Sequence, residues 1–229
     1  MKLTITYNNI PFDSRLVTDM GFSAYIEGFS QSILFDTGAN KGILLYNVDT
    51  LGIDLKSVGL LFLSHYHRDH TGGAEILLEK NPDVPIYLLS SFSDMFKDYK
   101  EIICDEPIEI MAGVWSTGKI GKPIEEQSLI VNTNQGYVVV TGCSHPNVAS
   151  IVERAREITK GDIYLVIGGF HLGSFLESEI REIMKRLKDA GVKRIAPSHC
   201  TGEVATQLFR EEYREDYIET GVGSIIEIK

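Results

Sequence analysis

Residues 65–70 read His65-Tyr66-His67-Arg68-Asp69-His70, and this hexapeptide holds three of the six histidines in the 229-residue chain. An apolar run at 58–63 precedes it and predicts a strand, whereas Thr71-Gly72-Gly73 follows it and predicts the start of a helix. Side chains at 65 and 67 leave an extended chain on the same side. Two imidazoles can therefore reach one metal ion.

The second half of the hexapeptide adds a carboxylate to the imidazoles. Asp69 and His70 lie where the chain turns, and they can face a second ion beside the first. Imidazole together with carboxylate is a ligand set that suits Zn²⁺ and also Fe or Mn. In this context the motif predicts metal binding rather than a polar loop with incidental histidines.

The other three histidines share one placement. His145, His171 and His199 each come shortly after an apolar, β-branched run that is typical of a strand. In open α/β sheets, ligand sites form outside the carboxyl ends of the strands. Histidines that served only core packing would be scattered along the elements, so this placement is a second argument for a metal centre.

Composition excludes several classes of protein. Hydrophobic residues make up 43% of the chain, which is typical of a globular protein. No apolar run approaches the about 18 residues that a membrane helix needs, and residues 1–7 predict a strand rather than a signal peptide. The three cysteines are widely separated, which does not indicate a disulfide framework. We expect a cytoplasmic protein that does not bind membranes.

The net charge of −10 at pH 7 bears on partners. A nucleic-acid-binding protein would normally show a basic face, and the nearest one here lies on a single predicted helix and is typical of a solvated surface. Bound divalent ions dominate the local field, so the acidity does not exclude an anionic substrate. We expect a small anionic substrate and no nucleic-acid partner; the sequence does not define the oligomeric state.

Strands and helices are predicted along the whole chain. The strands are expected at 2–7, 22–27, 31–35, 58–64, 85–89, 107–111, 113–117, 128–133, 136–141, 162–167, 193–196 and 223–228. The helices are expected at 42–51, 72–80, 92–99, 147–159, 178–190 and 203–217. Strand-rich stretches with helices in both halves predict two sheets packed face to face with helices outside, a four-layer α/β/β/α sandwich. Without a linker or repeat, 1–229 is interpreted as one domain.

Several motifs occur in a fixed order. The chain contains Leu34-Phe35-Asp36-Thr37-Gly38, then the hexapeptide with Thr71-Gly72-Gly73, and then a late His199. This series resembles the metallo-β-lactamase-fold superfamily of metal-dependent hydrolases, which implies the same sandwich fold. Four further segments look like the branch named after dihydropterin-ribofuranosylaminobenzene-5'-phosphate synthase: 126–129, 141–146, 168–172 and 197–202.

The superfamily pattern implies two divalent metal ions per chain, with Zn favoured and Mn or Fe as alternatives. By position, it assigns His65 and His67 to one ion, and Asp69, His70 and His199 to the other. Asp36 would then lie behind the ligands and steady the loop that carries them.

The chain departs from the superfamily pattern in two places. The stretch 121–126, where a third histidine of the first ion is usual, has none, and Cys143 stands where a bridging aspartate is usual. His145 lies two residues after Cys143 on the same side of an extended chain, and we predict that it completes the first site. Cys143 itself is either a metal ligand or a packed core residue.

Three more residues have alternative interpretations. Glu126 is either a carboxylate of the site or a solvated charge before a strand. His171 is a metal ligand, a proton donor to the leaving group, a substrate contact or a packed residue. Cys200 is interpreted as packing, because it should point away from its neighbour His199.

The predicted reaction is hydrolysis by a hydroxide that bridges two ions about 3.5–4 Å apart. Asp69 would orient one metal and the nucleophile, and His171 would be the acid. Helices expected to start at Gly72, Pro146 and Gly202 favour an anion, hence a phosphoester, pterin- or nucleotide-related. The alternatives are a redox iron enzyme on the same ligands and a non-catalytic, metal-dependent sensor.

Overall fold

Two mixed β-sheets organise residues 1–228, which the computed structural model describes. One sheet belongs to a first unit, Met1–Asp105 with the chain from Thr220 onward, and the other belongs to a second unit, Glu106–Glu219. The interpretation of 1–229 as one domain stays a prediction. None of the helices within 1–228 has the length and apolarity that crossing a bilayer requires.

The elements of the described chain have these bounds. The strands are β1 (Lys2–Asn8), β2 (Phe22–Glu27), β3 (Ile33–Phe35), β4 (Leu60–Phe62), β5 (Ile86–Leu88), β6 (Glu101–Ile103), β7 (Ile108–Met111), β8 (Val114–Ser116), β9 (Leu129–Thr133), β10 (Gly136–Thr141), β11 (Ile163–Gly169), β12 (Arg194–Ser198) and β13 (Ile225–Glu227). The α-helices are α1 (Lys41–Thr50), α2 (Arg68–Thr71), α3 (Ala74–Lys80), α4 (Val148–Thr159), α5 (Glu177–Asp189) and α6 (Glu203–Tyr213). Short 3₁₀ turns occur at Leu55–Ser57, Ser90–Met95 and Arg214–Asp216.

The sheet of the first unit has the strand order β13-β1-β2-β3-β4-β5-β6. Strands β3 to β6 run parallel, whereas β13, β1, β2 and β3 pair antiparallel. Because β3 and β4 are parallel neighbours, their carboxyl ends lie at the same edge of the sheet. Asp36 follows β3 and the hexapeptide follows β4, so the sheet brings these two segments together.

Apolar packing holds these strands in place. Strands β3 and β4 are buried along their whole length, as expected for parallel strands covered on both faces. Leu34 and Leu61 belong to a buried cluster with Leu44 of α1 and Leu77 of α3. Burial of each such side chain stabilises the fold by about 1.5–3 kcal/mol, so the loops after β3 and β4 start from a rigid base.

The sheet of the second unit has the order β12-β11-β10-β9-β8-β7. Strands β10, β11 and β12 are parallel neighbours, whereas β7 to β10 pair antiparallel. Helices α4, α5 and α6 pack against this sheet through a buried cluster that includes Val152, Leu187 and Phe209. His145, His171 and His199 follow the three parallel strands, so all three lie at one edge of this sheet.

Several boundaries differ from the prediction for local reasons. The helix expected at 72–80 begins at Ala74 as α3, and the short helix α2, which was not predicted, precedes it at Arg68–Thr71. The helix expected at 92–99 is a 3₁₀ turn at Ser90–Met95 with non-helical dihedrals at Phe92. Strand β6 was not predicted, because Glu101–Ile103 is a three-residue, partly exposed strand at the end of the sheet order. The β9–β10 hairpin and helices α4 and α5 are confirmed within two residues.

Candidate metal centre

Asp36 organises the loops after β3 and β4 in the first unit. Its carboxylate is fully buried and accepts hydrogen bonds from the backbone N–H of Ser64 (2.8 Å) and from the Ser64 hydroxyl (2.7 Å). Nδ1 of His70 lies 2.7 Å from the same carboxylate. A buried carboxylate is costly unless it is hydrogen-bonded, so these contacts hold the two loops in one arrangement.

The same carboxylate determines the tautomers of two histidines. The Ser64 hydroxyl donates its single proton to Asp36, so it accepts a hydrogen bond from Nδ1 of His65 at 2.9 Å. His70 also carries its proton on Nδ1, where it donates to Asp36. In the neutral form of each ring, the lone pair is therefore on Nε2. This is how a carboxylate behind a metal-binding histidine prepares it for an ion.

Four predicted ligands lie side by side in the first unit. The ring centroid of His65 is 4.7 Å from that of His67 and 4.2 Å from that of His70. A carboxylate oxygen of Asp69 lies 3.6 Å from Nε2 of His70. His65 and His70 are buried, whereas His67 and Asp69 are half-buried. The hexapeptide thus presents a compact donor set, and its binding of metal stays a prediction.

Glu126 plays the corresponding part in the second unit. One of its carboxylate oxygens accepts hydrogen bonds from the backbone N–H groups of Cys143 and Ser144, both at 2.9 Å. The other oxygen accepts from the backbone N–H of His145 at 2.9 Å and lies 2.9 Å from Nδ1 of the same residue. Because the side chain is fully buried, Glu126 is not a solvated charge. It holds the loop after β10 and orients the ring of His145 through Nδ1.

Strained backbone marks the strand ends in both units. Asp36, Ser144, His171 and His199 have φ angles of 51°, 62°, 51° and 48°. Residues other than glycine rarely adopt this left-handed conformation, which costs about 1–3 kcal/mol each. Such strain clusters at functional sites because surrounding contacts hold it in place. Nothing in the sequence pattern indicated these conformations.

Hydrogen bonds join the loops that follow β10, β11 and β12. The Ser144 hydroxyl donates to the carbonyl of Gly169 at 2.7 Å, which joins the first two loops. The Thr201 hydroxyl accepts from the backbone N–H of Phe170 at 3.2 Å and donates to the carbonyl of Ser198 at 2.6 Å, which joins the last two. His145, His171 and His199 are therefore carried by one connected set of loops.

A second kind of donor cluster lies at this edge of the second unit. The ligand atoms of Cys143, His171 and Cys200 all lie within 4.8 Å of one another. Cys143 and then His171 lower the pKa of the Cys200 thiol below its usual value, against the opposing effect of burial. The rings of His145 and His171 are 4.6 Å apart. Cys200 was predicted only to pack; the pattern that points to it is its position, like Cys143, after a parallel strand and near a histidine.

The comparisons with known proteins agree with this geometry. A family model described as the metallo-beta-lactamase superfamily matches residues 17–157. The chain is 30% identical over 278 residues to the 7,8-dihydropterin-6-methyl-4-(β-D-ribofuranosyl)-aminobenzene-5'-phosphate synthase of Methanocaldococcus jannaschii. That alignment covers 97% of the chain and 95% of the relative.

Solved structures show the same fold. Tm1679, described as a metal-dependent hydrolase of the β-lactamase superfamily, matches with a TM-score of 0.85 and 26% identity, over 100% of this chain and 99% of its own. YhfI from Bacillus subtilis, a metallo-β-lactamase fold protein, matches with a TM-score of 0.72 and 17% identity over 98% of each chain. The mixed α/β fold class with two sheets, predicted from the sequence, is confirmed.

Proposed function

Because the chain belongs to the metallo-β-lactamase superfamily, as its motifs predicted, we propose that it is a metal-dependent hydrolase of small anionic phosphoesters. One observation carries the proposal. Each unit contains a buried carboxylate–histidine pair, Asp36 with His70 and Glu126 with His145, in which the carboxylate binds Nδ1. Such pairs support metal-binding histidines by fixing the tautomer and the ring orientation.

We propose two sets of ligands, each of which would bind one divalent ion. His65, His67 and His145 would bind one ion, and Asp69, His70 and His199 would bind the other. The donor set fits this assignment, because imidazole with a single carboxylate suits Zn²⁺, which we place ahead of Mn and Fe. When bound, two such ions lower the pKa of a water molecule toward neutrality and attract the negative charge that develops during hydrolysis.

Two side chains would act on protons during the reaction. Asp69 is half-buried, and its carboxylate lies beside Nε2 of His70. We assign it the role of accepting a hydrogen bond from the attacking water and orienting it. His171 is exposed and lies next to His145. Its ring N–H would donate a proton to the leaving-group oxygen, which is the role of a general acid.

The substrate class is proposed from charge and from one relative. The Methanocaldococcus jannaschii protein is named for a product that contains a pterin and a 5'-phosphate. This name supports a pterin- or nucleotide-related phosphoester for the present chain. The net charge of −10 supports a small molecule over a nucleic acid as the partner. Because that relative is a synthase, a synthase reaction on the same class of substrate is the second candidate function.

Metal reconstitution tests the proposal. Metal-free protein would be loaded separately with Zn²⁺, Mn²⁺ or Fe²⁺, its metal content measured, and its turnover followed on a panel of phosphomonoesters, phosphodiesters and pterin phosphates. We expect two equivalents of metal at the six proposed ligands and metal-dependent hydrolysis. His67→Ala should lose one equivalent and most of the activity, whereas Arg68→Ala, an exposed neighbour in the same hexapeptide, should retain both.

Other outcomes of this experiment would contradict the proposal in distinct ways. At most one equivalent of metal under excess would overturn the two-ion assignment. Activity only with iron, together with a visible absorption change during turnover, would indicate a redox enzyme. Tight binding of a pterin phosphate without turnover would indicate a sensor, and product formation only when a second substrate is added would indicate a synthase.

A further inference from the structure

We propose that Cys143, His171 and Cys200 form a separate site for a thiophilic metal ion in the second unit. Their two sulfur atoms and one ring nitrogen lie within 4.8 Å of one another. Two sulfur atoms bound to one tetrahedral zinc ion at about 2.3 Å lie about 3.8 Å apart. The three atoms would therefore have to approach one another by about 1 Å or less to bind one ion.

The backbone holds each of the three ligands independently. The N–H of Cys143 is bound to the buried carboxylate of Glu126. His171 has a left-handed φ of 51°. Cys200 is packed so closely on Gly169 that a methyl group at position 169 would lie 2.7 Å from its sulfur. Because the three ligands come from loops after three parallel neighbouring strands, the cluster is built by the sheet and not by one flexible segment.

The donor chemistry differs from that of the proposed catalytic ions. Two thiolates are soft ligands and imidazole is a borderline one, a set that selects zinc or cuprous ions over magnesium or manganese. The ligand set of the proposed hydrolytic centre contains imidazoles and a carboxylate and no sulfur. A cell that supplies several metals could therefore load the two kinds of site with different ions.

The three side chains of the cluster differ in their exposure to solvent. Cys143 is buried, Cys200 is half-buried and His171 is exposed. Three protein ligands leave a fourth position of a tetrahedral ion open, as in sites that exchange a ligand, and the exposed imidazole provides an entry path. Cys104 offers a contrast, because it is buried in the first unit and burial raises the pKa of its thiol to about 12.

The site does not depend on the proposed hydrolytic reaction, although the two share His171. An ion bound by Cys143, His171 and Cys200 would occupy the imidazole that the proposed function uses as a proton donor. Metal binding at this cluster and proton transfer by His171 are therefore mutually exclusive, and the test of the site needs a readout other than turnover.

Cobalt binding to the full-length protein provides that readout. Reduced, metal-free protein would be titrated with Co²⁺ under anaerobic conditions, and thiolate-to-cobalt charge-transfer absorption would be recorded in the near ultraviolet. In parallel, the thiol reagent dithiobis(nitrobenzoate) would count accessible thiols before and after addition of Zn²⁺. We expect the absorption to appear, and Zn²⁺ to protect Cys143 and Cys200 from the reagent.

Single substitutions make the assignment specific. Cys200→Ser should reduce the affinity of the sulfur-bound cobalt at least about tenfold, which equals 1.4 kcal/mol, and His171→Gln should weaken it in the same direction. Cys104→Ser is the matched control and should leave the absorption unchanged. Near-ultraviolet circular dichroism spectra of metal-free Cys200→Ser and Cys200→Ala that match the parent spectrum verify that an altered fold does not cause the loss of cobalt binding.

Two results would overturn the site. One is the absence of thiolate absorption in the parent protein. The other is full absorption in Cys200→Ser, which would show that the absorption comes from Cys143 bound to an ion at a different site. Absorption in the parent protein with no hydrolysis in Cys200→Ser, where the affinity for the sulfur-bound ion is reduced, would count against the proposed function only. Intact hydrolysis without absorption would count against this site only.

Discussion

Replacement of Glu126 by glutamine is the sharpest perturbation of the second unit. The carboxylate accepts hydrogen bonds through both oxygens, and one oxygen receives the backbone N–H of His145 and faces its Nδ1. In Glu126→Gln an amide NH₂ group must occupy one of these positions. If it faces His145, the amide NH₂ group meets two other donors, the backbone N–H and the Nδ1–H of His145, and both of these lose their acceptor.

The magnitude follows from these contacts. A hydrogen bond to a charged group contributes about 1.5–3 kcal/mol, and two of them are lost. The expected destabilisation is therefore about 3–6 kcal/mol, a large share of the about 5–15 kcal/mol that typically stabilises a folded protein. In a chain of this size about 1 kcal/mol lowers the Tm by about 2–4 °C, so a fall of at least about 6 °C is expected.

The same substitution should weaken metal binding beyond its effect on stability. The amide NH₂ group no longer accepts the Nδ1 proton, so the tautomer of His145 is not fixed and the ring proton can move to Nε2, the nitrogen that would bind an ion. Loss of such a supporting group typically costs about 10–100-fold in metal affinity. The measurement is competition of the folded protein with a chromophoric chelator, at a temperature well below the Tm of the variant.

Glu125→Gln is the matched control. Its side chain is partly exposed and lies 3.9 Å from Lys119, a contact that contributes little in solvent. If Glu126→Gln and Glu125→Gln have the same Tm and the same chelator competition curve, Glu126 does not hold the loop. A lower Tm with unchanged metal affinity would limit Glu126 to a structural role and remove His145 from the ligand set.

Three further predictions use other parts of the chain. Asp36→Asn should lower the Tm, and it should reduce the affinity for metal about 10–100-fold, because this one carboxylate fixes the tautomers of two histidines. An unchanged chelator competition curve would contradict this. Gly169→Ala should destabilise by about 1–3 kcal/mol in thermal unfolding, because the added methyl would lie 2.5 Å from the carbonyl oxygen of Gly142, whereas Gly173→Ala meets nothing closer than 3.7 Å and should be neutral. Burial raises the pKa of Cys104 to about 12 from an ordinary value of 9.0, so the folded state retains a proton that the unfolded state releases. The contribution of the protonated Cys104 thiol to the free energy of unfolding is present below pH 9 and declines between about pH 9 and 12 by up to about 1.4 kcal/mol per pH unit. In Cys104→Ala the free energy of unfolding, measured with urea, should therefore fall less steeply above pH 9. An equal fall in both proteins would refute the role of Cys104.

Local features of the sequence predicted much of this structure. The alternation of apolar runs and amphipathic segments predicted the β9–β10 hairpin and helices α4 and α5, because periodicity and turn residues act between near neighbours in the chain. The hexapeptide predicted a donor set, and its four predicted ligand residues do lie together, because they are separated by at most five positions. The position of each histidine after a strand also followed from the sequence, since apolar runs and their ends are readable locally.

The contacts that prepare these histidines were decided only by the tertiary structure. Glu126 reaches residues 17 to 19 positions away, and Asp36 reaches His70 across 34 positions. Cys143 and Cys200 are 57 positions apart and follow β10 and β12, which both pair parallel with β11. At such separations the sequence does not predict the distance between two residues, because the pairing of the strands determines which loops lie side by side. The left-handed backbone of His171 and His199 has the same origin: contacts from neighbouring loops, not the residues' own preference, stabilise it.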